Sequence, residues 1–334
     1  MDNHYKKIIN NIEEVFREYP IEKQIAVAVS GGCDSLALLL AINEFCQNKN
    51  IKIFALTIDH KMRPSSSVEA QKLQSLLKNY VVEHHILEIP HHLVPSNNIE
   101  ANLRDLRYEI LLNFCNNYHI KHLFVGHHLG DVAENFLIRL FRGSGLDGLS
   151  PIQKMIEQSG VKILRPFLTI NKELLQDFLR YKNIDWFEDE TNQDEKFLRN
   201  KIRKFLASFS DKNIIENRIY SASQEIAKAR ELFDEIMRRK ESQILTPIAD
   251  YFIIDLIKMR RVKPLIAHKI LALLLTKISE KNYKPRKEKL LRFYEYLMAE
   301  DHLHSKIKKR EFYGCVVENY GIGKVKIYKK IADL

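Results

Sequence analysis

The run Ser30-Gly31-Gly32-Cys33-Asp34-Ser35 sets two hydroxyls, two adjacent glycines and a carboxylate between an alternating apolar segment, residues 25–29, and a second apolar segment at helical spacing. Adjacent glycines let a backbone turn sharply and aim several N–H groups at one point. A helix starting near Ser35 adds the positive end of its dipole, and the Ser30 and Ser35 hydroxyls can donate to phosphate oxygens. The run is not a GxxxxGK[ST] loop, because no lysine follows the glycines. A carboxylate beside phosphates repels them, so Asp34 makes sense if it shares a divalent cation with them or orients an amine. The plainer alternative is a tight turn in which Asp34 or Ser35 caps the helix.

The elements around this run predict where it lies. Segments rich in Val, Ile, Leu and Phe at 25–29, 51–58, 83–89 and 123–125 predict strands, and helical periodicity falls at about 35–48, 67–79, 100–118 and 131–142. The alternation predicts an α/β fold with a parallel sheet covered by helices on both faces, and ligands outside the carboxyl ends of its strands. The Ser30 turn, Asp59-His60 and His127-His128 each follow a predicted strand and are expected on one rim. A strand at 161–164 and a helix at 172–182, capped by Asn171, follow. From about 212 the pattern is mainly helical, at 214–243, 263–279 and 287–299. The stretch 310–330 alternates like a β-hairpin, with Gly321 and Gly323 at its turn. The domain boundary is expected near 207–212, giving blocks 1–208 and 209–334.

A chain of 334 residues, 45% hydrophobic and 29% charged, suffices for two globular domains. The apolar runs fall far short of the roughly 20 residues that span a bilayer. The first residues carry acids and lack the apolar core of a signal peptide, so a cytoplasmic protein without a membrane partner is expected. Four cysteines, Cys33, Cys46, Cys115 and Cys315, make no CxxC, which argues against a structural zinc site or a disulfide framework. The net charge of +10 is uneven: residues 1–195 carry −5 and residues 196–334 carry +15. A basic second part suggests a polyanionic partner, nucleic acid above all.

The SGGxDS run after a strand resembles the signature of the PP-loop ATP pyrophosphatases. In that family the loop holds the pyrophosphate part of ATP, and the reaction yields AMP and pyrophosphate through an adenylate. Within it the chain resembles the tRNA(Ile)-lysidine synthetase family. The stretches that carry the likeness are TIDHKMRPSSSVEA (57–70), IEANLRDLRYEIL (99–111), GHHLGDVAENFLIRLFRGSGLDGLSPI (126–152), RPFLTINKELLQDFL (165–179) and WFEDETNQDEKFLRNKIR (186–203). The match runs in order through about 25–206, and the basic remainder resembles the tRNA-binding domain of the family's short form. The resemblance implies ATP with Mg²⁺, free L-lysine, and an isoleucine tRNA with a CAU anticodon. Lysine would be joined to C2 of the first anticodon cytidine after ATP has adenylated the C2 oxygen. Oligomeric state is left open, a homodimer included.

On that chemistry the ATP-binding residues would be Ser30, Gly31, Gly32, Cys33, Asp34, Ser35 and Asp59. Arg104 and Arg107, three apart on one helix, would serve ATP phosphates or the tRNA backbone. Asp131 and Glu134 would hold the lysine ammonium; the same carboxylates also favour a helix N-terminus. Asp34 or Asp131 would take the amine proton, and Asp34 could instead hold the metal. His127, Gly143, Ser144 and Gly145 would contact nucleotide or cytidine, with His128 as readily a packing residue. Arg139, Arg142, Arg199, Arg203 and Lys204 would meet tRNA, as would the clusters Arg238-Arg239-Lys240, Arg260-Arg261-Lys263 and Lys306-Lys308-Lys309-Arg310. Tyr313 and Tyr320 could stack on bases or belong to the hairpin core. The segment departs from the family pattern HHxDDQxET at Gly130, Val132 and Asn135. Two rivals remain at this level, a PP-loop tRNA thiolase, which needs reactive cysteines, and a non-catalytic nucleotide-binding module.

Overall fold

The computed structural model describes residues 2–21, 23–59, 64–89, 99–188, 198–300 and 307–330. His60, Lys306 and residues 189–197 of the WFEDETN stretch lie outside them. The chain divides between Ala227 and Lys228 into two compact units.

The first unit is built on strands β1 (Gln24–Ala28), β2 (Lys52–Asp59), β3 (Glu83–Glu88), β4 (His122–Phe124), β5 (Met155–Gln158) and β6 (Val161–Leu164). They form one sheet in the order β3-β2-β1-β4-β6-β5. All neighbours are parallel except β5 and β6, which pair antiparallel at the edge. β1 therefore has β2 on one side and β4 on the other. The connection order reverses there, so a crevice opens beyond the carboxyl ends of β1 and β4. Helices α1 (Asp2–Glu18), α2 (Cys33–Cys46), α3 (Pro64–Leu77), α4 (Ile99–Asn117), α5 (Leu129–Phe141), α6 (Lys172–Tyr181) and α7 (Leu198–Ala207) complete the unit.

Helix α2 is apolar on every side, with Leu36–Ile42 all buried. That composition suits a helix wedged between the sheet and other helices, and α2 packs on α1 and α6. Ile8, Ile12, Val15, Leu175 and Phe178 join it in one cluster on that face of the sheet. Leu111, Leu112 and Cys115 of α4 cover Ala26, Phe54 and Leu123 from a second cluster. The turn from β1 to α2 is thus carried between two elements buried in these clusters.

Helix α8 (Lys212–Ile244) contains the division between the units. The expected boundary at 208/209 precedes it. The difference has a packing cause: Ile215 and Ile219 of its first turns sit on Ala133, Leu137, Ile202 and Leu206 of the first unit. The second unit holds β7 (Leu245–Ile248), β8 (Tyr251–Asp255), α9 (Leu256–Arg260), α10 (Pro264–Ser279), α11 (Lys287–Met298), β9 (Arg310–Phe312), β10 (Cys315–Gly321) and β11 (Lys324–Lys329). The expected hairpin is β10–β11. It lies inside an antiparallel sheet of order β7-β8-β11-β10-β9, which accompanies the helices of this mainly helical part. β7 escaped the sequence reading because it follows α8 directly and contains Pro247, which only an edge strand tolerates. No helix among the described residues is long and apolar enough to cross a membrane.

Candidate active site

The turn after β1 is held by its own hydroxyls. Ser35 Oγ accepts from the Ser30 N–H at 3.1 Å and donates to the Gly32 carbonyl at 3.1 Å. The Ser30 and Ser35 hydroxyls lie 3.1 Å apart, and the Gly32 N–H reaches Ser30 Oγ at 3.4 Å. Gly31 takes φ of 80°, the left-handed region that glycine enters without strain. Gly32 precedes α2 without a side-chain cap, so the helix presents its first-turn N–H groups uncapped by any side chain. Cys33 is buried, and burial pushes its thiol up to about 12, so at this turn it can offer only its backbone. Asp34 stands in the first turn of α2 with Oδ1 buried and without a hydrogen-bond partner among the described residues.

The strand β4 meets this turn through Gly126. A Cβ there would come within 2.9 Å of the Asp34 carbonyl oxygen and 3.0 Å of the Ser35 nitrogen. These are backbone atoms, which cannot step aside. The sequence reading gave Gly126 no role, although a glycine placed just beyond a strand on the ligand rim is the signal of such a close approach.

The two histidines that follow have separate duties. His127 lines the cavity described below, and Arg165, itself 4% exposed, donates from Nε to His127 Nδ1 at 3.2 Å. That bond leaves the ring proton on Nε2. Burial, with Arg165, Arg104 and Arg199 nearby and Asp131 opposing them, pulls His127 down to about 4. His128 is buried and caps α5: its Nδ1 accepts from the Gly130 N–H at 3.0 Å, while its own N–H donates to Asp131 Oδ2 at 3.0 Å. Its Nε2 lies 3.7 Å from Asp34 Oδ2 and 3.7 Å from Asp131 Oδ2, so it bridges the two acids. A Cβ at Gly130 would meet His128 Cε1 at 2.8 Å and Glu216 Oε1 at 3.3 Å. The buried Glu216 of α8, raised by burial, thus occupies the space beside position 130.

Asp131 and Glu134 share a face of α5 and are both buried. Arg199 of α7 donates from Nη2 to Asp131 at 2.5 Å and from Nε to Glu134 at 2.6 Å; Arg203 donates from Nε to Glu134 at 2.7 Å. Burial works against the charge of Asp131, but His128, Arg199, His127 and the His128 N–H hold its carboxyl well below the usual range. The carboxylate pair expected to receive an ammonium therefore already holds cations, supplied by two arginines expected at tRNA.

A cavity of about 650 Å³ opens where these pieces converge. The turn contributes Ser30, Gly32, Asp34 and Ser35 to its wall, and Asp34 is the one carboxylate among the described residues that lines it. Arg104 and Arg107 face it from α4, Arg139 and Arg142 from the end of α5, and Arg199 from α7. Such a wall suits a polyanion. Arg139 also donates to the Gly148 and Ser150 carbonyls at 2.9 and 3.0 Å, bracing the loop that follows.

Other expected residues lie elsewhere. Asp59 is buried at the end of β2, accepts from Ser66 Oγ at 2.6 Å and does not line the cavity. Gly143, Ser144 and Gly145 form a turn beyond α5 and also do not line it. Lys204 lies exposed on α7. In the second unit, Arg239 pairs with Glu235 and Arg260 with Glu300. Tyr313 donates to the Tyr283 carbonyl and packs on the core, whereas Tyr320 is 49% exposed beside Tyr251.

The depressed His127 makes stability depend on pH. His84, half-buried on β3 against Thr57, is likewise lowered to about 4 by its partial burial. Between 4 and the ordinary value of 6.5 the unfolded chain binds these protons and the folded chain does not, so stability rises with pH. The contribution is fully present above about 6.5 and is lost as the pH falls toward 4. Melting temperatures across that window will show a steep fall for the parent chain and a shallower one for His127→Gln.

A PP-loop domain model matches residues 4–209. The tRNA(Ile)-lysidine synthase of Orientia tsutsugamushi (strain Boryong) is 33% identical over 325 residues, which is 95% of this chain and 72% of that protein. The tRNA(Ile)-lysidine synthase of Wolbachia sp. subsp. Brugia malayi is 30% identical over 320 residues, again 95% and 72%. Among solved structures, the U34-tRNA thiolase NcsA from Methanococcus maripaludis, with its [4Fe-4S] cluster, aligns with a TM-score of 0.59 over 68% of this chain and 79% of its own. At 16% identity that likeness speaks for the fold alone. With the phosphate turn, the carboxylate pair and relatives matched along nearly the whole sequence, the chain belongs to the tRNA(Ile)-lysidine synthase family of PP-loop proteins.

Proposed function

We propose that this chain is a ligase that joins lysine to C2 of the cytidine at the first anticodon position of an isoleucine tRNA with a CAU anticodon. The cytidine C2 oxygen attacks the α-phosphorus of ATP and pyrophosphate leaves. The lysine ε-amine then adds to C2, its proton passes to a base, and AMP departs with the oxygen. The observation that carries the reading is the shared cavity: an uncapped helix start, five arginines and Asp34 all face one space.

The turn would hold the leaving pyrophosphate through backbone N–H groups, and Arg104 and Arg107 would offset the charge that builds on the phosphorus. Asp34 fits Mg²⁺, because its buried Oδ1 has no hydrogen-bond partner among the described residues and Mg²⁺ takes one or two carboxylates beside phosphates. When bound, the ion neutralises phosphate charge. His127, neutral at working pH, would donate from Nε2 to the nucleotide or the cytidine. Asp131 and Glu134 would receive the lysine ammonium, which takes the place of the Arg199 and Arg203 guanidinium groups. Arg142, Lys204 and the basic second unit would meet tRNA phosphates, with affinity that falls as salt rises.

The thiolase reading is not favoured. All four cysteines are buried, and burial pushes Cys33 and Cys115 to about 12 and Cys46 and Cys315 to about 11, so none is a ready thiolate. Incubation with radiolabelled lysine, ATP and total tRNA will place label in RNA, with one AMP and one pyrophosphate per lysine. Hydrolysis to ADP, or RNA without label, would overturn the proposal.

A further inference from the structure

We propose that Phe187 is a positioning residue for the phosphate turn: it fixes the peptide between Gly31 and Gly32 so that the Gly32 N–H, and not the Gly31 carbonyl, faces the triphosphate. The inference rests on the reading of this turn as the ATP site.

Two contacts carry it. The Phe187 N–H donates to the Gly31 carbonyl at 3.0 Å. The Phe187 ring lies where a side chain on Gly31 would stand, since a Cβ there would be 2.5 Å from Phe187 Cδ2 and 3.0 Å from Cε2. Phe187 does not line the cavity, so it acts on the turn from outside.

The consequence follows from peptide geometry. In a trans peptide the C=O and the following N–H point in opposite directions. A Gly31 oxygen held on the Phe187 side therefore turns the Gly32 N–H to the other side, where Ser30 Oγ lies 3.4 Å away. No side chain on either glycine resists rotation of this peptide. Released from Phe187, it can turn over and present a carbonyl oxygen to an anion, replacing a donor by a repelling dipole. The hydroxyl bonds within the turn engage Ser30, Gly32 and Ser35, and none of them engages the Gly31 oxygen.

The ring is held from behind, which is what a positioning role needs. Phe187, Trp186 and Ile184 pack on the cluster that includes α2, and the Arg180 guanidinium lies 5.8 Å over the Trp186 ring. The backbone enters this stretch through Asn183 at φ of 53°, with the Ile184 N–H bonded to the Leu179 carbonyl at 3.0 Å. The end of α6 thus ties the phosphate turn to the core by a path separate from β1 and α2.

The test uses the full chain and two readouts. Binding of radiolabelled ATP is measured by equilibrium dialysis without lysine or RNA, and steady-state constants are measured with all substrates. Phe187→Ala will weaken ATP about tenfold or more and raise the ATP KM in parallel, while kcat at saturating ATP and the lysine KM stay within about threefold. Phe187→Leu, which keeps the backbone N–H as Phe187→Ala does but also fills the space beside Gly31, will recover most of the affinity. ATP binding by Phe187→Ala within about twofold of the parent, or a loss spread equally over kcat and the lysine KM, would overturn the inference. Should Phe187→Ala fail to fold, Phe187→Val, whose shorter side chain leaves part of the space beside Gly31 empty, decides by the same constants, with an isolated rise in ATP KM expected and an unchanged ATP KM overturning the inference. A parent chain that binds no ATP would remove the reading of the turn and this inference with it; a binding parent with an equally binding variant removes the inference alone.

Discussion

Asp34→Ala will lower pyrophosphate release by a hundredfold or more while leaving the melting temperature nearly unchanged. The two halves of this expectation have separate grounds. Asp34 is the one carboxylate among the described residues that lines the cavity, so no neighbour there can take over its charge. As the proposed holder of Mg²⁺, Asp34 would act on the phosphate charge through the ion, and loss of one group that stabilises transition-state charge typically costs about 10²–10³ in rate. Its contribution to folding is small, because Oδ1 has no hydrogen-bond partner among the described residues and Oδ2 stands 3.7 Å from His128. Asp34→Asn keeps the shape and drops the charge, and it is expected to fall nearly as far. Pyrophosphate release measured with lysine and tRNA present decides; an asparagine variant that keeps more than about a tenth of the rate would deny the charge any role.

Glu134→Gln has the second largest expected effect, and it should fall on lysine. Glu134 now accepts from both Arg199 and Arg203 at 2.6 and 2.7 Å, which shows that the position draws cations. A hydrogen bond to a charged group contributes roughly 1.5–3 kcal/mol, which corresponds to about ten- to a hundredfold in the lysine KM. The ATP KM should stay within about threefold. The variant should also melt earlier, since Arg199 and Arg203 lose an ionised acceptor, although both are about one-third exposed and water replaces part of the loss. Steady-state kinetics with lysine and ATP varied separately will check it. A fall in kcat with the lysine KM unmoved would mean that Asp131 and Glu134 serve only to hold the arginines.

The sheet and the phosphate turn were legible because their signals are local. Five parallel strands fell where short Val, Ile, Leu and Phe runs stood, and the turn was marked by residue types within six positions. Arg104 with Arg107, and Asp131 with Glu134, were paired correctly because helical spacing fixes a face. What sequence could not give were contacts between distant segments. Arg199 and Arg203 read as basic surface until α7 was seen against α5. Gly126, Arg165 and Phe187 carry no charge pattern or spacing that names their partners, since Asp34, His127 and Gly31 lie far off in the chain. Asp59 shows the opposite limit, because its place at the end of a strand fits a nucleotide contact and a bond to its own loop through Ser66 alike. The strands β7 to β9 were missed because each is short and abuts a helix, a turn or a proline, so no alternation of useful length develops.

Gly130 and Glu216 show how two distant positions can become bound to one evolutionary fate. With Glu216 Oε1 3.3 Å from where a Cβ at 130 would stand, and the His128 ring at 2.8 Å, an acid introduced at 130 would crowd both side chains. The new carboxylate would meet a buried one already in place, and the variant would suffer crowding and like-charge repulsion together. An acid at 130 would be accommodated better with Glu216 replaced, so what either position tolerates depends on the residue at the other.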